Sequence, residues 1–521
     1  MTEPPNLPDD PELLKPMIRE LFVELRKRDR RAEQMQIQLD DLARKLFGRK
    51  SEKLDPNQLS LIDLEALGLT VDKDEPADEA VTEEKPEPKR ERRQPKRKRP
   101  SRELPRRVVE HTLPEEERAC PCCGDVMPCF RKETHEQLDY RPASFEVVEH
   151  VTYIYGCAKG CDEHVAKAPK APQMVEKGLP GPGLLAHVMV GKFCDHLPLY
   201  RQEGIFRRQG IELSRATLGG WVKAVEEGVS PLVEHLKEDL LRSRIVATDD
   251  TSVPVQKKGG TYKGRLWVYI GDVEHPLVVY DYTPTREGTG PEAFLKSFGG
   301  YLQADAYSAY DKLFDPKRTP RIFEVGCWMH ARRYFYEASL KDKGLPYEAL
   351  AMIRELYRYE RIAEDYTPER RLALRQEKSV PVLDALEAWM EKHRFDVLPK
   401  SLLGTAITYA VNQWQALRRF TEDGRLSIDN GESERQLRRI ALGRKNWLFA
   451  GNDDGGRRAA SGYTLVGTCL YHGWDPFAYL VWLFMRLPGL PLSRLHEITP
   501  FAWAREMGLT SKRVPALLLP T

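Results

Sequence analysis

The sequence predicts a multidomain α+β protein, and three observations carry that prediction. A heptad of apolar residues runs through the first fifty positions, cysteines cluster among short β-like runs, and from 244 onward strand-like and helical segments follow one another. The 521 residues allow about three to five domains. Hydrophobic residues at 41% supply real cores and exclude a wholly disordered chain. With 81 Lys+Arg against 79 Asp+Glu the net charge is +2, which excludes a uniformly basic DNA-coating protein but leaves room for local basic surfaces. The start, MTEPPNLPDDPELL, lacks the basic and apolar regions of a secretory signal, and FAYLVWLFM at 477–485 is too short to span a bilayer. A soluble, cytoplasmic protein without a membrane partner is expected.

Residues 12–47 read as a coiled-coil helix. Ile18, Leu25, Ala32, Leu39 and Leu46 fill one heptad position, while Leu14, Leu21, Met35 and Leu42 fill the other, which only Arg28 breaks. Dimerisation through this helix predicts a homo-oligomer; the alternative is an amphipathic helix packed on its own chain. Residues 72–107 read as a charged, disordered linker. Its second half carries twelve Lys/Arg against three Glu with several prolines, which oppose a packed core and suit an arm that contacts phosphates.

Residues 108–172 form a cysteine-rich module. Cys120-Pro-Cys-Cys123 is a knuckle in which two thiolates on a tight turn can share an ion, and Cys157 and Cys161 can supply a second pair. Four thiolates suit one structural Zn²⁺ in a closed tetrahedral shell; Cys122, Cys129 and His164 are substitutes, and reduced cysteines without metal are the alternative. Residues 180–230 then read as helix, turn, helix, with Ser214 as the N-cap of the third segment, a pattern shared by DNA-reading motifs and by plain trihelical packing.

From 244 the order is three antiparallel-looking strands, a helix, a strand and a strand-to-helix passage, the order of a ribonuclease-H-like core over 244–337 and 426–485. RIVATDDTSVPV places Asp249 on the first strand, and GGYLQADAYSAY places Asp305 at the end of the fourth. Two divalent metals need a third carboxylate to neutralise their charge, and hard oxygen ligands suit Mg²⁺. The candidate is Glu434 in SIDNGESERQLRRIALGRKNWLFAG, 129 residues after Asp305. A helical insertion over 338–425 explains the interval, and 486–521 remain as a C-terminal tail. An ordinary ion-pair lattice is the alternative for Glu434 and its arginines.

ATDDTSVPV, LQADAYSAY, GCWMHARRYF, LSIDNGESERQLRRIALGRKNWLFAG and WDPFAYL resemble the insertion-sequence-66 family of DDE transposases, as do PLYRQEGIFRRQGIELSRATLGGWV and the early LFGRKSEK. The resemblance covers nearly the whole chain. It implies an Asp-Asp-Glu triad at Asp249, Asp305 and Glu434, with Asp250 where the family usually has Glu. Gly431 departs from the family's Asp-Asn-Asn. Also implied are DNA partners (element terminal repeats and target), association with the nucleoid and small accessory proteins of the same element.

The expected activity is transposition: two Mg²⁺ (or Mn²⁺) ions on the triad support in-line cleavage at the element ends and joining of the 3′-OH to target DNA. Arg435, Arg438, Arg444 and Lys445 would offset phosphate charge, and His330 is a phosphate or metal-shell candidate that can equally be packing. The rival readings are a non-catalytic, zinc-containing DNA-binding regulator and a ribonuclease-H-like nuclease.

Overall fold

The computed structural model describes residues 172–512, except 177 and 343, and seven isolated positions between 145 and 167. The stretches read as coiled coil and charged linker, and cysteines 120, 123, 157 and 161, lie outside the described residues. The chain divides into two compact units. In the smaller, Val71–Ala168, the described pairing is an antiparallel ladder of β1 (Ile154–Tyr155) with β2 (Ala166–Lys167). The described residues from 172 onward belong to the larger unit.

Three helices open it. Helix α1 (Pro182–Phe193) starts on proline and buries Leu185, Ala186, Val188, Met189 and Phe193. Helix α2 (Leu199–Arg208) buries Phe206 and Gln202, whose amide donates to the carbonyls of Val188 and Leu197, both at 3.2 Å. Helix α3 (Arg215–Leu240) is capped as the sequence predicts, the amide of Thr217 donating to Ser214 Oγ at 3.1 Å. Its buried residues Leu218, Trp221, Val222, Val225, Val229, Leu232, Leu236 and Leu240 follow the 3.6-residue period. That stripe carries the helix ten residues past the expected end of the trihelical region.

A five-stranded sheet comes next, in the order β5-β4-β3-β6-β7. Strands β3 (Ile245–Lys257), β4 (Gly260–Ile270) and β5 (Val278–Thr283) form an antiparallel meander. Strands β6 (Gly300–Gln303) and β7 (Ile322–Val325) add in parallel beyond β3, with α4 (Thr289–Phe294) leading into β6. The last five residues of β4 are buried, as a strand covered on both faces requires.

Helix α5 (Trp328–Ser339) leaves β7, and the predicted insertion is built from α6 (Leu345–Ile362), α7 (Pro368–Leu374), α8 (Val380–His393), α9 (Leu402–Asn412) and α10 (Trp414–Arg418). These helices close on α5 around a second apolar cluster that includes Phe335, Leu350, Ile353, Leu383, Leu386, Ile407 and Phe420. The chain then returns as α11 (Gly431–Trp447), α12 (Asp453–His472) and α13 (Pro476–Arg486). The described part of the predicted tail is folded: α14 (Pro500–Glu506) buries Phe501, Trp503 and Ala504 in the main core.

Helix α12 covers the free edge of β5. Thr464 Oγ1 accepts from the amide of Tyr280 at 2.9 Å, and Thr468 Oγ1 both accepts from the amide of Val278 (3.2 Å) and donates to its carbonyl (3.1 Å). Close approach depends on Gly456, where a Cβ would collide with the Tyr282 ring. Gly456→Val is therefore expected to lower stability by about 1–3 kcal/mol through overpacking, read as a lower urea midpoint. A wild-type midpoint would show that the helix can shift without loss.

Candidate active site

Strand pairing sets the first two acids side by side. β3 and β6 run parallel for only three residues, ending at Ala247 opposite Gln303. Asp249 and Asp305 each lie two residues past that pair, Asp305 beyond the carboxyl end of β6, where open sheets present ligand sites, and Asp249 within β3 where its parallel pairing has ended. β3 continues past this point because β4 still pairs with it, Asp249 standing opposite Val268.

Glu434 arrives on the first turn of α11. Asn430, 1% exposed, ties that turn to the sheet: its Nδ2 donates to the carbonyl of Thr248 at 2.8 Å, and its amide donates to Cys327 Sγ at 3.3 Å. The amide of Gly431 donates to Asp429 Oδ1 at 3.0 Å. The residue that departs from the family pattern thus still satisfies its amide within the cap, and α11 starts at Gly431.

The carboxylates influence one another through their charges. Burial, then the charges of Asp305, Glu434 and Asp250, push Asp249 well above the usual carboxylate range, against a bond from the amide of Asp250 to its Oδ1 at 2.7 Å. Asp305 is pushed up to about 6 by burial and by Asp250, against Arg286, the amide of Tyr307 and Arg333. Its Oδ1 is buried with no hydrogen-bond partner. Among the described residues, no group of three His, Cys, Asp or Glu side chains is drawn together closely enough to hold one metal ion as it stands. The donor chemistry nevertheless fits a divalent cation: hard carboxylate oxygens, mutual repulsion and an orphaned buried acceptor.

Asp250, the neighbour of Asp249, is answered by two arginines. Arg265 Nη1 lies 2.9 Å from its Oδ2, and Arg286 reaches its Oδ1 through Nε (3.2 Å) and Nη2 (3.1 Å). Arg286 also stacks on Tyr307, 3.6 Å from the ring centre. His330 Nε2 is 4.0 Å from Glu434 Oε1, and burial beside Arg333 lowers its pKa to about 4, so the imidazole is neutral near pH 7.

Of the predicted DNA-contacting residues, Arg435, Arg438 and Lys445 are exposed on α11. Arg435 pairs with Glu432 at 2.5 Å. Arg444 is turned inward instead, donating to Ser252 through its carbonyl and, at 3.0 Å, its Oγ. The doublet Asp249-Asp250 was legible as a candidate and Asp429 or Asn430 as the cap of the helix through Glu434, but Arg265 and Arg286 carried no signal that separates them from surface residues.

Comparison with known proteins identifies the family. The family model described as "Transposase IS66 family" matches residues 177–458, which contain Asp249, Asp305 and Glu434. A "zinc-finger binding domain of transposase IS66" matches 117–161 and spans Cys120, Cys123, Cys157 and Cys161. A third model, "Transposase C of IS166 homeodomain", matches 34–109, across the end of the predicted heptad helix and the charged linker. Among curated proteins, the uncharacterized protein y4hP of Sinorhizobium fredii (strain NBRC 101917 / NGR234) is 31% identical over 502 residues, covering 91% of this chain and 90% of the relative. Two further uncharacterized proteins of that strain, y4jD and y4qI, are each 32% identical, over 77% and 76% of this chain and 80% and 74% of their own lengths. The chain belongs to the IS66 family of transposases.

Proposed function

We propose that the chain cleaves DNA at the ends of its insertion sequence and joins the freed 3′-OH to target DNA, with Asp249, Asp305 and Glu434 as catalytic residues on a ribonuclease-H-like core. The observation that carries this reading is the placement of two aspartates each two residues past the end of the parallel β3–β6 pairing, with the charge of Glu434 acting on Asp249. Two Mg²⁺ (or Mn²⁺) ions held by these carboxylates would activate the attacking water and stabilise the leaving oxygen. Asp249 and Asp305 must give up their protons to serve, and the arginines on Asp250 keep that neighbour from adding an unanswered negative charge. Neutral His330, 4.0 Å from Glu434, places no competing cation beside it.

Cys120, Cys123, Cys157 and Cys161 would hold one structural Zn²⁺ in the module upstream. The trihelical region and the early heptad helix would serve DNA recognition and self-association, with small accessory proteins of the same element as further partners.

The test is strand cleavage and joining on element-end DNA, with and without Mg²⁺. Joined product supports the transposase reading. Cleavage without joining favours a nuclease, and DNA binding without either favours a regulator. Arg438 and Lys445 extend an exposed row along α11 beyond Glu434. Replacing both by alanine is expected to weaken duplex binding and to flatten the log affinity–log salt line by a slope of about 2, roughly 0.9 per phosphate contact. An unchanged slope, measured by fluorescence anisotropy across a salt series, removes both from the DNA path.

A further inference from the structure

Between β7 and α11 the chain leaves the sheet, and the helical insertion grips the segment that brings it back. Arg375 is the centre of that grip. Its side chain is 1% exposed, sits in a short π-helical turn (Arg375–Ser379), and uses all five N–H groups. Nε donates to Glu360 Oε1 at 2.8 Å, and Nη2 to Glu360 Oε2 at 2.6 Å and to the carbonyl of Leu426 at 2.9 Å. Nη1 donates to the carbonyls of Phe420 (2.7 Å) and Asp423 (2.9 Å). A guanidinium so deeply buried is tolerated only when every donor is matched. Here three of the five matches are backbone oxygens of the returning segment. Gln376 adds a bond from Nε2 to the carbonyl of Thr421 at 2.7 Å.

Tyr357 continues the grip toward the acids. It lies one turn before Glu360 on α6, and so on the same face. Its hydroxyl donates to Asp429 Oδ2 at 3.0 Å, while Asp429 Oδ1 accepts from the amide of Gly431. From the sheet side, Gln303 Nε2 donates to the carbonyl of Ser427 at 2.9 Å, and the amide of Trp328 donates to that of Ile428 at 3.1 Å. The first turn of α11 is slack by itself: the bond from the amide of Glu434 to the carbonyl of Asn430 is 3.4 Å long. The place of Glu434 therefore depends on whatever fixes Asp429 and Asn430.

We infer that Tyr357 and Arg375 are positioning residues through which the helical insertion sets where Glu434 stands relative to Asp249 and Asp305. The inference rests on the assignment of Glu434 as the third catalytic carboxylate. Neither side chain touches the reacting atoms; both act through the backbone that carries Glu434.

The primary variant is Tyr357→Phe in the full chain, which keeps the ring and removes one hydroxyl. Three measurements are made: anisotropy with a fluorescein-labelled duplex of about 30 base pairs, roughly two turns beyond a single half-site, Mg²⁺ dependence of supercoiled-plasmid nicking, and the Mg²⁺-induced rise in melting temperature without DNA. Tyr357→Phe is expected to bind the duplex as wild type does. It should need roughly tenfold more Mg²⁺ both for half-maximal nicking and for half of the thermal rise, the lower end of what loss of an outer-shell support costs a metal site. Arg375→Lys, which keeps the charge and loses the fork, should move the same midpoints further.

A Tyr357→Phe protein with wild-type Mg²⁺ midpoints overturns the inference, whatever its melting temperature, because a merely structural hydroxyl changes stability and not metal dependence. If Glu434→Ala abolishes nicking while Tyr357→Phe is silent, the inference alone falls. If Glu434→Ala also nicks as wild type, the active-site assignment falls and takes the inference with it.

Discussion

Asp249→Asn is expected to lower strand cleavage and joining by roughly 10³-fold or more, about 4 kcal/mol of barrier, and at the same time to raise the melting temperature of the metal-free protein. The two effects share one cause. Asp249 is forced toward its protonated form by burial and by the charges of Asp305, Glu434 and Asp250, so its ionised form is a source of strain that only a bound cation relieves. An amide removes the repulsion and keeps an oxygen to accept the Asp250 amide, but it cannot supply a charged metal ligand. A carboxyl raised in the folded state binds its proton more tightly there than in the unfolded chain, so the contribution is present below the unfolded value of about 3.9 and is lost as pH rises through the folded value, about 6 for Asp305. Metal-free wild type should lose stability across that window and beyond it, since Asp249 is also raised, and Asp249→Asn should lose less. Calorimetry in EDTA from about pH 4.5 to 8, which spans that loss, beside a strand-transfer gel, measures both. Wild-type joining by the variant, or a lower melting temperature at the alkaline end, would remove Asp249 from the site.

Asn430→Asp should cost about 3–5 kcal/mol near pH 8, the range for leaving a buried charge without its partner. The side-chain amide donates to the carbonyl of Thr248, and the residue is sealed from solvent. A carboxylate there would face that carbonyl oxygen with no proton to offer, one residue away from Asp249 on β3. Near pH 5 partial protonation restores one donor, so the loss should shrink. Activity should fall with stability, because the bond that holds the start of α11 to the sheet is also the bond that places Glu434. Urea midpoints at the two pH values test this; equal midpoints for variant and wild type would show that the link to Thr248 contributes nothing.

Much of this organisation was legible from residue order because it is local. The β-rich run that carries Asp249, the strand-end position of Asp305, the cap at Ser214 and the cap at Asp429 or Asn430 ahead of Glu434 each reflect neighbours within a turn or a strand. The α-helical interval before Glu434 was likewise readable from periodicity. The length of α3 and the packing of 490–506 were not, because burial of their apolar stripes depends on partners remote in the chain.

By itself the sequence determined which residue types stand on which elements, and its motifs carried the resemblance that implies the candidate triad. Only the tertiary structure decided the parallel register that sets 249 beside 305, the pairing of Asp250 with Arg265 and Arg286, the inward turn of Arg444, and the clamp from Tyr357 and Arg375. The physical reason is range. Propensity and hydrophobic period act over a few residues, whereas a buried hydrogen bond between groups separated by many tens of residues leaves no trace in either, and an arginine with five matched donors is written with the same letter as one in solvent.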